Sequence, residues 1–330
     1  MNTTWSEFLA SREISKGSET TCALNDLSHY GLIRVEGEDA VSFLQGQLTN
    51  DLRQLTEQHS HLAGWCSAKG RMLANFRCFR RGEGLFLQTP VENLDEIIKR
   101  LRMFVLRAKV HIEDATDELM RMGITGDCAV DLLSGFCEAV PATVNGASHS
   151  DTFTLLRLPG RVPRFEVVAP AEALIPLWQV AERHARRMDR GFWALQEIRA
   201  GIPTVFPGTR EAFVPQMTNM HLIDGLSFTK GCYVGQEVVA RMQYLGKLKR
   251  RMYLARVESD VPPAPGDELF ARDSTSGQGA GKVVDAQACG AGAYEMLAVI
   301  EVASAEENQV TLGAGGPQLE ITDPPYPFPE

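Results

Sequence analysis

The residues best suited to chemistry lie together in one stretch, residues 230–241. It reads Lys-Gly-Cys-Tyr-Val-Gly-Gln-Glu-Val-Val-Ala-Arg. The thiol of Cys232 follows the cation of Lys230 and precedes a segment that we expect to be helical from Gln236. A helix N-terminus carries partial positive charge and a nearby lysine adds a full one, so both would stabilise a thiolate.

Two interpretations of Cys232 are open at this point. In the first, Cys232 is a functional thiol, and Gly231 and Gly235 let backbone N–H groups approach a ligand or an anion. In the second, Cys232 is a small buried hydrophobe in a tight turn, as many cysteines are. The lysine, glutamine, glutamate and arginine side chains around it bring the first interpretation level with the second, so both stay open.

The composition is that of a folded protein with more than one domain. The chain has 330 residues, of which 44% are hydrophobic and 23% charged, and its formal net charge is −9. Because phosphate affinity comes from clustered Lys and Arg, we expect no direct nucleic-acid binding. No stretch approaches the ~20 apolar residues of a membrane span, and the N-terminus lacks a secretory or import pattern. These features predict a cytoplasmic monomer with no membrane contact.

The cysteines are scattered along the chain. There are seven of them, an odd number, and no Cys-x-x-Cys occurs. This distribution predicts reduced thiols and not a disulfide framework. It also argues against a zinc or iron–sulfur site built from this chain alone.

Hydrophobic periodicity predicts an α+β chain. A helix is expected to begin in Thr89-Pro90-Val91-Glu92, with Thr89 as N-cap and Glu92 completing a capping box. Further helices are expected over 38–47 and 191–200, and a hairpin at 75–88. We divide the chain into an α+β unit over 1–112, a second α+β unit over 113–241 and a small β-barrel over 245–325.

The stretch 230–241 resembles the signature of the YgfZ family. These proteins are relatives of the glycine-cleavage T-protein, a tetrahydrofolate-dependent aminomethyltransferase. Other blocks of sequence resemble the family in the same order, over roughly residues 25–326. They are residues 43–51, 68–73, 200–203, 215–219, 226–228 and 324–326.

The resemblance implies both a fold and a role. The fold is T-protein-like: two intertwined α+β (ferredoxin-like) units and a C-terminal β-barrel around a central cavity that holds folate. The role is support of the assembly or repair of iron–sulfur enzymes, including tRNA-modifying ones, with Cys232 as the functional thiol. As candidate cofactor-binding residues around such a cavity we take Asn50, Arg71, Arg199, Asn219, Lys230, Gly231, Tyr233, Gly235, Gln236, Glu237 and Arg241.

Two departures from the T-protein pattern bear on activity. The pair of aspartates that T-proteins carry falls here at Ala74 and Asn75, neither of which can act as an ionised base. The acid that contacts the pterin ring in relatives falls at Arg199. The nearest carboxylate, Glu197, is two residues away on the predicted helix, so it points about 200° from Arg199.

The sequence therefore predicts a folate-binding accessory protein for iron–sulfur enzymes, with those enzymes and a tetrahydrofolate as its partners. One alternative is an active one-carbon transferase, which lacks its carboxylates here. Another is a protein-binding scaffold with a vestigial folate cavity. Direct tRNA modification is a further alternative, disfavoured by the acidic net charge.

Overall fold

The computed structural model describes residues 2–246, 248–271 and 279–328. Its helices are α1 (Thr3–Ala10), α2 (Ala40–Gln47), α3 (Val91–Val105), α4 (Cys128–Ser134), α5 (Ala171–Ala181), α6 (Arg190–Arg199), α7 (Gln236–Leu245) and α8 (Val302–Glu306). Its strands are β1 (Cys22–Asp26), β2 (Tyr30–Glu36), β3 (His61–Cys66), β4 (Met72–Arg81), β5 (Gly84–Pro90), β6 (His111–Asp114), β7 (Met120–Gly126), β8 (Ala147–His149), β9 (Thr154–Leu158), β10 (Arg164–Ala169), β11 (Arg186–Met188), β12 (Arg250–Glu258), β13 (Glu268–Ala271), β14 (Gly281–Gly290), β15 (Ala293–Glu301), β16 (Val310–Leu312) and β17 (Glu320–Thr322). None of these helices is long and apolar enough to span a bilayer.

The chain forms two compact units, each assembled from separate stretches of sequence. Unit 1 contains Met1–Leu44, Leu52–His61 and Phe76–Trp193. Unit 2 contains Gln45–Asp51, Leu62–Asn75 and Ala194–Glu330. The three segments predicted above follow chain order, whereas the compact units do not, so the boundaries at 112 and 241 stay a prediction.

The first sheet of unit 1 has six strands in the order β11-β1-β7-β10-β9-β8. Its neighbouring strands are antiparallel, apart from the parallel pair β1 and β11. Apolar side chains such as Leu24 and Val167 form a core with residues of α1, α4 and α5. Within this core the rings of Trp5 and Trp178 meet edge to face, with centroids 5.5 Å apart.

The second sheet of unit 1 pairs β4, β5, β2 and β6 in antiparallel order, and α3 packs on β2. The predicted helix is confirmed, since α3 buries the periodic apolar residues Leu94, Ile97, Ile98 and Leu101. The predicted capping box is wrong, because the N-cap is Pro90 and no side chain caps the helix. Thr89 still belongs to β5, where it pairs with Gly31.

The prediction that all cysteines are reduced is also wrong. Cys22 and Cys128, which are separated by 106 positions in sequence, are joined by a disulfide, with Cα atoms 5.8 Å apart. The sheet creates this proximity, because Cys22 of β1 pairs with Gly126 of β7, two residues before Cys128. Such a pair cannot be recognised from cysteine spacing. The free cysteines are Cys66, Cys78, Cys137, Cys232 and Cys289.

Unit 2 contains a six-stranded antiparallel sheet in the order β16-β13-β14-β15-β12-β17. The sheet curls into a half-barrel, in the region where the sequence predicts a barrel. Side chains such as Leu269 and Ile300 fill one apolar cluster. Met252 and Leu297 belong to a second cluster, which also includes Tyr233 and Val239 from the predicted signature. The sheet therefore supports the segment that carries Cys232.

Candidate functional site

Cys232 lies on an exposed turn immediately before α7. Gly231 beside it is also exposed, and a side chain there would meet no atom within 4 Å. The helix begins at Gln236, as predicted. A solvent-accessible thiol can reach another molecule, whereas a buried one cannot. The interpretation of Cys232 as a buried hydrophobe is therefore wrong.

Lys230 points into unit 2 and is only 5% exposed. Its ammonium donates to the carbonyl oxygens of Gln45 at 2.8 Å, Leu48 at 2.5 Å and Asn50 at 2.9 Å. These carbonyls lie at and just beyond the C-terminal end of α2, where a helix presents unpaired acceptors and partial negative charge. The ring of Tyr233 lies 5.1 Å from the Lys230 nitrogen and adds a cation–π contact. The Lys230 ammonium thus ties the turn that carries Cys232 to the C-terminal end of α2.

Thr49 and Asn50 tie the segment that follows α2 to β3 and to residues 224–225. The side-chain amide of Asn50 donates to the carbonyls of Leu62 and Asp224, and its oxygen accepts from the Asp51 N–H. The Thr49 hydroxyl donates to the Gly225 carbonyl and accepts from the Gly64 N–H. Both side chains are buried and their bonding capacity goes to backbone groups. Asn50, predicted to contact folate, has a structural role here.

Gly70 and Gly235 allow two backbone segments to touch. Both have left-handed backbone angles, with φ of +69° and +84°. A Cβ on Gly235 would lie 2.4 Å from the carbonyl oxygen of Ser67, and one on Gly70 would lie 2.8 Å from the Cβ of Val238. Only glycine fits such positions without strain. The 67–70 turn is therefore seated against the start of α7.

Two further residues that were predicted to contact the ligand, Arg71 and Asn219, are engaged within unit 2. The Arg71 guanidinium donates to the Ala212 carbonyl at 2.7 Å and to the Glu211 carbonyl at 3.2 Å. The Asn219 amide donates to the Met252 carbonyl and to the Tyr326 hydroxyl. That hydroxyl donates in turn to the Gly201 carbonyl, and burial raises the pKa of Tyr326 to about 12.

Asn75, which the family resemblance places at a T-protein aspartate, binds two backbone groups. Its amide nitrogen donates to the Pro203 carbonyl, and its oxygen accepts from the Val205 N–H, both at 2.8 Å. Asn75 is 8% exposed and Ala74 beside it is fully buried. Neither residue supplies a base or an anion.

Arg199 is tied to the half-barrel. Its Nε and Nη2 donate to the two oxygens of Glu295 on β15, at 2.8 and 2.7 Å. This two-point pairing fixes the plane of the guanidinium. Glu197 is 8% exposed and lies on the same helix, α6. Arg199, which the resemblance places at the pterin-contacting position, is therefore a cation already bound to a carboxylate.

The signature thus divides into an inner and an outer set. Lys230, Tyr233 and Gly235 face inward and build the turn. The outer set consists of Gly231, Cys232, Glu237 and Arg241, which are exposed, and Gln236, which is half-buried. The sequence reasoning missed Gln216, a buried side chain that donates to the Val239 carbonyl at 2.6 Å and supports α7. Its place in the family-like block 215–219 was the available signal.

Comparison with known proteins identifies the class of fold to which the chain belongs. A model of the GCVT N-terminal domain matches residues 5–167. The solved glycine cleavage system aminomethyltransferase T of Bartonella henselae superposes with a TM-score of 0.67 at 16% identity, covering 97% of this chain and 88% of that one. At that identity the likeness shows the fold alone. The predicted T-protein-like α+β fold is confirmed.

Two curated relatives narrow the class to a family. Both are called "tRNA-modifying protein YgfZ". The protein from Yersinia pseudotuberculosis is 34% identical over 246 residues, which is 74% of each chain. The protein from Colwellia psychrerythraea is 34% identical over 240 residues, covering 72% of this chain and 73% of the relative. The chain belongs to the YgfZ family.

Proposed function

We propose that this protein is a folate-binding accessory factor for the assembly or repair of iron–sulfur enzymes, with Cys232 as its functional thiol. Its clients include enzymes that modify tRNA, which fits the name given to its relatives. Partners are these client proteins and a tetrahydrofolate. The protein itself works in the cytoplasm as a monomer and does not bind nucleic acid, in keeping with its net charge of −9.

One observation carries this proposal: an exposed thiol on a turn that buried groups hold in place. Lys230 and the Gly70–Gly235 contact hold the backbone on the two sides of Cys232, so the thiol is presented in a fixed position. A positioned, accessible thiol can form a transient adduct with a client or exchange with a client thiol. Gln236, Glu237 and Arg241 follow on α7 and offer polar groups that a client surface can contact.

The residues of unit 2 do not fit the T-protein pose of the pterin ring. That pose needs a carboxylate at position 199 to accept hydrogen bonds, and Arg199 is a donor already paired with Glu295. Folate binding in our proposal therefore uses other groups. The T-protein-like fold supports this part of the proposal. The proposed chemistry of the Cys232 thiol does not depend on folate binding.

Aminomethyl transfer is not favoured as an alternative. Both ends of the Asn75 amide bind backbone groups, and Ala74 has no functional group. A scaffold that binds clients without folate differs from our proposal in one measurable property, its affinity for tetrahydrofolate. Calorimetry with tetrahydrofolate alone separates the two.

We predict that Cys232→Ala abolishes function without changing stability. Exposed side chains contribute little to folding, so the free energy of unfolding should stay within about 0.5 kcal/mol of wild type. In a deletion strain, the variant should fail to restore a tRNA modification made by an iron–sulfur enzyme. Cys289→Ala is the matched control, because that thiol lies in the half-barrel and should be dispensable. Full rescue by Cys232→Ala would remove the thiol from the mechanism.

A charge exchange tests the pterin argument. The double variant Arg199→Glu with Glu295→Arg keeps the ion pair and places an acid at the family's position. A charge-assisted hydrogen bond contributes about 1.5–3 kcal/mol, so tetrahydrofolate should bind at least about tenfold more tightly than to wild type by calorimetry. Glu295→Gln serves as the control and should show no such gain. Equal affinity in wild type and double variant would mean that position 199 does not contact the ligand.

A further inference from the structure

A cleft of about 250 Å³ lies in unit 1, beside the N-terminal helix. Its walls come from α1 and the segment that follows it to Ile14, from the end of β1 at Asp26, and from Arg187 of β11. Pockets for drug-sized molecules usually measure about 300–1,000 Å³. This cleft is below that range and suits a metabolite of amino-acid size.

The negative end of the cleft is the carboxylate of Asp26. Its Oδ1 accepts from the Trp5 indole N–H at 3.0 Å, from the Ser28 hydroxyl at 2.6 Å and from the Ser28 N–H at 3.2 Å. Its Oδ2 has no hydrogen-bond partner among residues 2–246, 248–271 and 279–328. The bonds to Oδ1 fix the carboxylate, so Oδ2 is a preoriented acceptor.

The positive end is the guanidinium of Arg187. Its Nη1 donates to the carbonyls of Leu9 at 2.6 Å and Arg12 at 2.7 Å, which lie at the C-terminal end of α1. Within the described part of the chain, Nε and Nη2 have no hydrogen-bond or ion-pair partner. These two N–H groups can therefore bind a carboxylate side-on.

The two charges face one cleft but do not pair with each other. No ion pair joins Asp26 and Arg187 in the part of the chain that the structure describes, although each acts electrostatically on the other. Arg12 does not fill the gap, because its guanidinium is occupied by Glu182 and lies 3.5 Å from the centroid of the Phe8 ring. A gap remains that one molecule with both an ammonium and a carboxylate can bridge.

The wall also has apolar side chains, next to the polar Ser6 and Ser28. Trp5 and Leu9 are buried, whereas Ile14 is 49% exposed, an unusual state for a large aliphatic side chain beside a cleft. An aliphatic group seated between Leu9 and Ile14 would remove apolar surface from water. The cleft therefore offers an acceptor, a donor pair and an aliphatic contact to one small ligand.

We propose that this cleft binds a free aliphatic α-amino acid in its zwitterionic form. The ammonium donates to Oδ2 of Asp26, the carboxylate accepts from Nε and Nη2 of Arg187, and the side chain packs on Leu9 and Ile14. The site lies in unit 1 and uses no residue of the Cys232 turn. It goes beyond the proposed function and does not depend on it.

Calorimetry on the full chain with L-leucine tests the proposal. L-Leucine should bind, and two analogues that each lack one charge, isoamylamine and 4-methylpentanoate, should each bind at least about tenfold more weakly. Analogues that bind as tightly as leucine would overturn the two-charge site. So would the absence of binding heat with leucine at about 10 mM.

Variants assign the binding to this cleft. Asp26→Asn keeps the Oδ1 bonds but removes the negative charge, and Arg187→Gln removes the guanidinium. Each variant should bind leucine at least about tenfold more weakly than wild type. Glu7→Gln and Arg183→Gln are matched controls on exposed positions and should leave it unchanged. Because Arg187 also binds carbonyls at the end of α1, Arg187→Gln can destabilise that helix. Ala10→Phe is therefore a third variant, in which the new side chain fills the cleft while Asp26 and Arg187 are kept. Leucine binding that survives Asp26→Asn and Ala10→Phe would refute the site.

Discussion

A Lys230→Met protein is expected to be less stable than wild type by about 3–5 kcal/mol. The methionine fills a similar volume but cannot donate to the three carbonyls that the ammonium satisfies. Each buried acceptor left without a partner costs about 1–3 kcal/mol, and partial relaxation of the turn recovers some of this. The loss of stability is large because the same ammonium also binds the otherwise unpaired carbonyls at the C-terminal end of α2.

Denaturant unfolding of Lys230→Met and Lys69→Met measures this effect. Lys69 is exposed on the 67–70 turn of the same unit, so its variant should differ from wild type by less than about 0.5 kcal/mol. The rate of Cys232 alkylation in the folded state gives a second readout. A variant that kept full stability but alkylated more slowly would mean that the lysine serves the thiol and not the fold.

Cys22→Ser is expected to destabilise the oxidised protein by about 4 kcal/mol. The disulfide closes a loop between residues 106 apart, and a loop of that length restricts the unfolded chain strongly. Buried serine in place of Cys22 adds a smaller cost for its hydroxyl. The effect should appear in unit 1, where both cysteines lie.

Unfolding with and without a reductant separates these contributions. Reductant should lower the stability of wild type to within about 1 kcal/mol of the variant, and should leave the variant unchanged. Cys137→Ser is the control, because Cys137 is free and should keep the response to reductant. If wild type were insensitive to reductant, the disulfide would contribute nothing to stability.

Local signals made much of this fold predictable. The start of α7 at Gln236 and the apolar face of α3 follow from short-range periodicity, and both are confirmed. The T-protein-like fold follows from motif blocks whose order along the chain is itself informative. The two helix predictions succeed because their physical causes lie within one turn or one helix of the residues concerned, whereas the overall fold was implied by the family resemblance.

The partners of the signature residues could not be predicted in the same way. Lys230 binds carbonyls that lie 180 to 185 residues away in sequence. Its position next to Cys232 suggested that the ammonium stabilises the thiolate, but the ammonium points to those carbonyls instead. Arg199 likewise finds Glu295 across 96 residues. Thr89 shows the converse, since a good local capping motif is overridden where the strand continues through it.

The discontinuous make-up of unit 2 has a consequence for biosynthesis. Residues 45–51 and 62–75 leave the ribosome early, yet they pack with Ala194–Glu330. Asn75, for example, bonds the backbone of Pro203 and Val205. At about 5–20 residues per second, Asn75 waits roughly 6–26 s for these partners. During that interval the apolar strand ends of the nascent chain have no native partner, so the protein is a candidate for chaperone contact during its own synthesis.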